Sequence, residues 1–330
     1  MKQFITFAFA LIGSFASYGQ LVTDNTLTPQ QLVNDILIGG GVTASNIQYT
    51  GDANAIGYFD AANANVGIGS GILLTTGTVL DSPPGQGPHG PNDLPGAGTD
   101  NSQPGDPLLA ATAGNPSFNA ARLEFDFVPQ SDTIRFNYVF ASEEYLEYVN
   151  AGVNDAFGFF ISGPNPLGGN YTDENIALIP GTTTPITIDN VNAGLNATYY
   201  VDNGDGSTAP QNGSDTYVQY DGLTTVLEAS ASVTCGETYH IVIVISDIGD
   251  GVLDSGVFLE EDSFSANAVQ VSIVTQTGDT SLVEGCAGAD INFIRPVTDT
   301  LDTLIVDIDI SGTATNGVDY NTITTPITFL

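Results

Sequence analysis

Beyond Arg122 the chain trades apolar for polar residues with a period of two. Leu123, Phe125 and Phe127 alternate with Glu124, Asp126 and Val128. Successive side chains of a strand point to opposite faces, so this spacing fits a strand with one face buried. Residues 134–141, 155–162 and 239–246 are aromatic or β-branched runs bounded by Gly, Pro and Asp clusters, and they read the same way. The run Ile241-Val242-Ile243-Val244-Ile245 is apolar on both faces, which places it centrally in a sheet. Against these strands stands one convincing helix start. Thr28 fits the N-cap, Pro29 the first helical position and Gln31 the capping-box position. Leu32, Val33, Ile36 and Leu37 then form one apolar stripe, ended by Gly39-Gly40-Gly41. Many strands and a single short N-terminal helix predict a mostly β chain built as an antiparallel β-sandwich. Residues 53–80 are small and Gly-rich, with a strand expected over 67–74. Residues 81–119 are rich in Pro, Gly, Asn and Asp and read as a long irregular excursion, of the kind that is functional or disordered.

Charge narrows the function. Four Lys and Arg stand against 38 Asp and Glu, a formal net charge of -34, and the one lysine is Lys2. Such a chain has no basic surface to displace phosphate counterions, which excludes nucleic acid as a partner. It has no lysine for a P-loop or a Schiff base, and an anionic membrane repels it. Disorder is the usual outcome of high charge with few apolar residues. Here 13 Tyr and 17 Phe supply a core, so the acids are expected in loops and at sites.

Residues 1–20 combine a one-lysine start, an apolar stretch and the small residues Ser17 and Gly19 before Gln20. That pattern is a secretory signal peptide over residues 1–19, with cleavage before Gln20. No other stretch has the length of a transmembrane helix. Export permits a disulfide. Cys235 and Cys286 have three options: a bridge across a domain boundary, pairing beyond this chain's end, or two buried thiols.

Five motifs carry a resemblance over residues 27–266. They are Phe140-Ala141-Ser142-Glu143-Glu144-Tyr145, the run from Asn154-Asp155-Ala156-Phe157-Gly158 to Ser162-Gly163-Pro164, Asn175-Ile176-Ala177-Leu178-Ile179-Pro180-Gly181-Thr182, Tyr220-Asp221-Gly222-Leu223-Thr224 and Asp254-Ser255-Gly256-Val257-Phe258-Leu259. In this order they resemble the choice-of-anchor L domain of secreted bacterial surface proteins. The resemblance implies an extracellular or cell-surface location and defines no biochemical activity. Near Ala268 the texture changes, and Val283-Glu284-Gly285 followed by Ser311-Gly312-Thr313-Ala314-Thr315-Asn316-Gly317-Val318-Asp319-Tyr320 resembles the first half of a Calx-beta domain. That family is an immunoglobulin-like sandwich with calcium-binding members, and Glu284 and Asp319 match its acidic positions. The chain stops inside an alternating apolar run at Pro326-Ile327-Thr328-Phe329-Leu330. The expected organisation is a signal peptide at 1–19, a sandwich domain at 20–267 and a partial second sandwich at 268–330, with an anchoring region beyond it.

Enzymatic readings find little support. Glu143 and Glu144 offer the two carboxylates of a glycosidase, but adjacent strand residues face opposite ways unless the strand ends or bulges there. His89 and His240 are the two histidines, and neither a Gly-x-Ser-x-Gly elbow nor a zinc ligand set is present. Calcium, Ca2+, fits better because it takes six to eight hard oxygen ligands. Glu143, Glu144, Asn154 and Asp155 lie at one end of two successive predicted strands, and Asp247, Asp250 and Asp254 sit in a loop after the central one. A carboxylate cluster without lysine is most simply neutralised by a bound ion. Residues 202–207 read as an Asn/Gly turn, lacking EF-hand spacing. Tyr138, Tyr145, Tyr148, Tyr199, Tyr200, Tyr217 and Tyr220 read as strand packing rather than a sugar platform. Arg122 and Arg135 are expected to pair with Glu124, Asp126 or Asp132. The sequence thus predicts a secreted, non-enzymatic adhesion or display module with calcium-stabilised acidic loops and an extracellular protein or glycan ligand. A carbohydrate-binding module or accessory domain of a secreted hydrolase is the alternative.

Overall fold

The structure is a computed structural model that describes residues 21–81, 86–266, 270–275, 289–294, 304–306, 315–319 and 321–329. The signal-peptide residues, Glu284 and Cys286 lie outside them. Thirteen strands build the main body: β1 (Val22–Asp24), β2 (Val42–Thr50), β3 (Ile56–Asp60), β4 (Ser70–Thr75), β5 (Ser117–Pro129), β6 (Thr133–Ser142), β7 (Ala156–Pro164), β8 (Asn170–Asn175), β9 (Tyr200–Asp202), β10 (Gly222–Thr224), β11 (Leu227–Ser232), β12 (Tyr239–Ile248) and β13 (Ser255–Glu260).

They form two antiparallel sheets, one ordered β1-β3-β4-β13-β6-β10-β9 with β11 also on β6, the other β2-β5-β12-β7-β8. The period-two runs fall in the two middles, and the expected β-sandwich is what the chain adopts. Leu123, Phe125, Phe127, Ile134, Phe136, Tyr138, Phe159, Ile241 and Ile243 meet between the sheets in one buried core. β12 is the central strand of its sheet, and its two apolar faces have separate partners. Ile241, Ile243 and Ile245 enter the inter-sheet core, whereas Val242 and Val244 pack with Leu109 on the outside. The outer face of the larger sheet is also covered, by Leu21, Val79, Val218 and Tyr220 around Phe59 and Phe258.

The N-terminal helix begins as the sequence predicts. Thr28 and Gln31 form the reciprocal capping box of α1 (Pro29–Gln31), and a π-helical turn continues over Leu32–Leu37. Leu32, Val33 and Leu37 are buried. The described part of the excursion, 86–119, is more ordered than its composition indicates. It holds a second helix, α2 (Pro107–Ala113), capped by Asp106, whose Oδ1 accepts the Leu108 N–H at 2.8 Å. His89, Asn92 and Ala97 of the same segment are buried. Leu109 anchors α2 on β12, contacts remote in sequence that a local pattern does not show.

Beyond the sandwich two antiparallel pairs are described. β14 (Gln270–Thr275) pairs with β15 (Ala289–Ile294), and β16 (Leu304–Val306) with β17 (Ile327–Phe329). Among the described residues no helix is long and apolar enough to cross a membrane.

Candidate functional site

The predicted acids gather at one end of the sandwich, where β6, β7 and β12 finish or begin. β6 ends at Ser142 because the Ser142 hydroxyl accepts the Glu144 N–H at 3.0 Å and turns the chain. Glu143 and Glu144 therefore sit on a turn, and both are buried. Their side chains still part company. The Glu143 carboxyl lies with Gln219, the Ala97 N–H and Asp221. Glu144 instead turns to Asp155, accepting its N–H at 3.2 Å. The two carboxylates do not flank one shared bond.

Asp155 is fully buried just ahead of β7. Its Oδ1 accepts the Ile248 N–H at 3.0 Å and its Oδ2 the Ser255 hydroxyl at 2.6 Å. Asp247 lies beside it, where a register shift in β12 brings it opposite Phe118. Its Oδ2 accepts from Asn119 at 3.0 Å, while its Oδ1 is buried with no hydrogen-bond partner. Asp254 accepts the Thr99 N–H at 2.9 Å and packs so closely on Gly77 that any Cβ there would collide with its carboxylate. Asp250 is exposed, though its charge bears on both Glu144 and Asp155. Asn154 takes no part in this cluster. Its Oδ1 accepts the Asp189 N–H at 3.0 Å, tying down a neighbouring loop.

Burial raises the proton affinity of Glu143, Glu144, Asp155, Asp247 and Asp254, since a carboxylate loses its hydration there. Asp155 is pushed up to about 7 and Glu144 to about 9, first by desolvation, with the nearby carboxylates adding to it. Glu143, Asp247 and Asp254 are raised well above the usual range, again chiefly by desolvation. No basic side chain relieves them among the described residues. Arg122 pairs with Glu124 at 2.7 Å, as expected, and with Asp106 at 2.8 Å, which local reading missed. Arg135 pairs with Glu228 on β11 rather than with an acid close in sequence. His240 meets Asp126 at 2.8 Å on a distant part of β12.

Among the described residues no three Asp, Glu, His or Cys side chains converge closely enough to hold a metal ion between them. Asp319 is exposed, and its Oδ2 accepts the Thr315 N–H at 2.7 Å. Asp205 closes its own turn, accepting from Ser207 and Thr208, as an Asx turn does. Of the seven tyrosines, Tyr138, Tyr145 and Tyr220 are buried, and of the rest only Tyr148 is largely exposed. Cys235 is exposed in the turn between β11 and β12.

Sequence reading passed over the buried Asn92, Gln219 and Asp221; Gln219 and Asp221 lie near Glu143, and Asn92 is hydrogen-bonded to both of them. Asp221 stood in a recognised motif. Its neighbour Gly222 shows why that motif holds its form, because a Cβ there would strike the rings of Tyr145 and Tyr200.

No curated protein and no solved structure matches the chain. The model of the choice-of-anchor L domain matches residues 21–265, the whole sandwich from β1 through β13. That family is one of surface-associated β domains, not an enzyme family, and it implies an extracellular or cell-surface protein. Over residues 21–265 the chain belongs to the choice-of-anchor L domain family.

Proposed function

We propose that this protein is a non-enzymatic adhesion or display module whose acidic end is stiffened by calcium. The observation that supports the calcium is the orphaned Asp247 Oδ1, buried beside Asp155 and Asp254. Buried carboxylates need a proton or a positive charge, and an unpartnered acceptor in their midst asks for one. Calcium does not require three convergent carboxylates, because amide, hydroxyl and backbone oxygens complete its shell. The Ser255 hydroxyl on Asp155 and the Gly251 carbonyl are neighbours of this kind.

Residues 268–330 are proposed as a Calx-beta-like unit, with Glu284 and Asp319 as its acidic positions. The antiparallel pairing of β14 with β15 and of β16 with β17 is consistent with that reading.

Thermal melting tests the calcium. The melting temperature should rise with calcium and fall with chelator, and magnesium should help less. Asp155→Asn should blunt the response more than Asp205→Asn. If sodium at matched ionic strength reproduces the whole effect, the acids are a screened surface and the site is refuted. A glycan array tests the display reading, and saturable, competable sugar binding would replace it with a carbohydrate-binding module.

A further inference from the structure

His89 is 8% exposed, in a Pro/Gly-rich loop that lies tight on the sandwich. A Cβ on Gly87 would strike Leu80 O and one on Gly90 would strike Tyr217 O, so the loop backbone is wedged against both neighbours. Pro88 O accepts the Gln219 N–H at 3.1 Å. Between these anchors the ring reaches Thr23, the middle residue of β1. β1 has three residues and lies at the edge of its sheet, paired there with β3. A strand so short has few ladder bonds of its own and depends on what its side chains hold.

The hydrogen bonds of Thr23 fix the protonation of the ring. The single hydroxyl hydrogen of Thr23 goes to Val79 O at 2.5 Å, since a carbonyl only accepts. Thr23 Oγ1 therefore accepts from His89 Nε2 at 3.1 Å, which makes Nε2 the N–H nitrogen. His89 Nδ1 is buried with no hydrogen-bond partner. In the neutral ring it is a bare lone pair. In the imidazolium it is an N–H of a charged group with nothing to accept it, which is far costlier to bury. The acidic residues on the segments around the ring are Asp24 on β1, Asp81 after Val79 and Asp215 beside Gly90. Asp24 is turned to its own neighbour, its Oδ1 accepting the Thr26 N–H at 2.7 Å. Asp215 is exposed. Only the Asp81 charge bears on the ring, and burial outweighs it, holding the imidazole below its ordinary range.

We propose that His89 is an acid-operated latch on the edge strand β1: neutral, it holds Thr23 against the sheet, and protonated, it leaves its place and lets β1 and the loop at 86–91 open while the rest of the sandwich stays folded. Protonation acts at Nδ1, on the side of the ring away from Thr23. To bring that charged N–H to water the ring must move, and the Nε2 bond to Thr23 breaks with it. Opening bares the outer edge of β3, a row of unpaired backbone groups with which another strand can pair. In the open form the imidazole has its ordinary value of 6.5. Opening is therefore favoured by up to about 25-fold more at pH 5 than at pH 7, the ratio of protonated to neutral ring at each pH setting the limit.

Backbone hydrogen exchange of the full chain at pH 7 and pH 5, corrected for the intrinsic exchange rate at each pH, tests it with the parent beside His89→Gln. EDTA is present throughout, so the outcome is independent of any calcium at the acidic end. In the parent, peptides covering 21–26 and 86–91 should lose protection by about five- to 25-fold on going to pH 5, while the β5–β12 ladder does not. His89→Gln can donate its amide N–H to Thr23 without taking up a proton, and it should show no such loss. Equal protection at the two pH values in the parent, the same loss in His89→Gln, or a loss shared by the whole sandwich overturns the latch. Should His89→Gln fail to fold, the ring nitrogen shifts of His89 in the parent at pH 7 decide. A protonated Nε2 with a bare Nδ1 is expected, and a ring protonated at Nδ1 overturns the proposal.

Discussion

Replacing Asp155 by Asn in chelator should stabilise the protein, and by an amount that grows with pH. Asn preserves the acceptor for the Ile248 N–H, and the Ser255 hydroxyl can turn to accept from the new amide. What disappears is the charge. The Asp155 carboxyl stands at about 7 in the fold against the ordinary 3.8. Between those values the folded state holds a proton that the unfolded state has lost. Stability therefore falls as pH rises through this window, by up to about 1.4 kcal/mol per pH unit. From pH 5 to pH 7 the Asp155 contribution to that loss comes to about 2 kcal/mol, and the variant lacks this contribution while keeping those of the other buried acids. With an m value of about 2–3 kcal/mol/M, the gap between the two urea midpoints should widen by about 1 M over that range. Glu144 and Asp155 titrate together, so the slope belongs to the pair. Urea unfolding in EDTA at pH 5, 6 and 7, parent beside variant, measures it. General repulsion within a strongly acidic chain is common to both proteins and cancels. A gap that stays constant with pH, or a variant that is equally destabilised at every pH, would refute the argument that Asp155 is buried uncompensated. If the proposed calcium site includes Asp155, saturating calcium should reverse the order, because the variant lacks that ligand.

Three further outcomes follow from the packing and the buried histidine. Gly77→Ala drives a methyl group into the Asp254 carboxylate and should cost about 1–3 kcal/mol in urea unfolding; a neutral result would show that the acid is not held there. Phe264→Ala empties a position whose ring lies 5.1–5.3 Å from those of Phe125, Phe127 and Phe136. It should lose about 3–5 kcal/mol, and a loss under about 1 kcal/mol would place Phe264 outside the core. Burial lowers the proton affinity of His89, so the unfolded state takes up the proton first and stability is lost as pH falls below about 6.5. His89→Gln should flatten that acid limb, and an unaltered limb assigns it to other groups.

The alternation along β5, the doubly apolar run of β12 and the capping box at Thr28 were legible because each is a local rule. A strand turns its side chains by period two whatever lies across from it, and a cap needs neighbours only three residues away. From these and the ordered motifs, the sequence alone determined a β-sandwich and its family. It also marked most of the acids that collect at one end, since Glu143, Glu144 and Asp155 flank strands that could be read.

Tertiary structure decided which acid meets which. Glu143 and Glu144 are neighbours in the chain, yet one reaches Gln219 and Asp221 and the other Asp155. Asn92 meets Asp221 across 129 positions, and Ser255 meets Asp155 across 100. Asn92, Gln219 and Asp221 look like solvated turn residues in any local window. They are buried because the excursion before β5 folds back over the sandwich end, and α2 is held by the outer face of β12 rather than by its own short sequence. A polar residue's burial depends on chain segments far removed in sequence, so the cost of its lost hydration, and the demand for a proton or a cation to offset it, come into being only when the two sheets and their loops have closed around it.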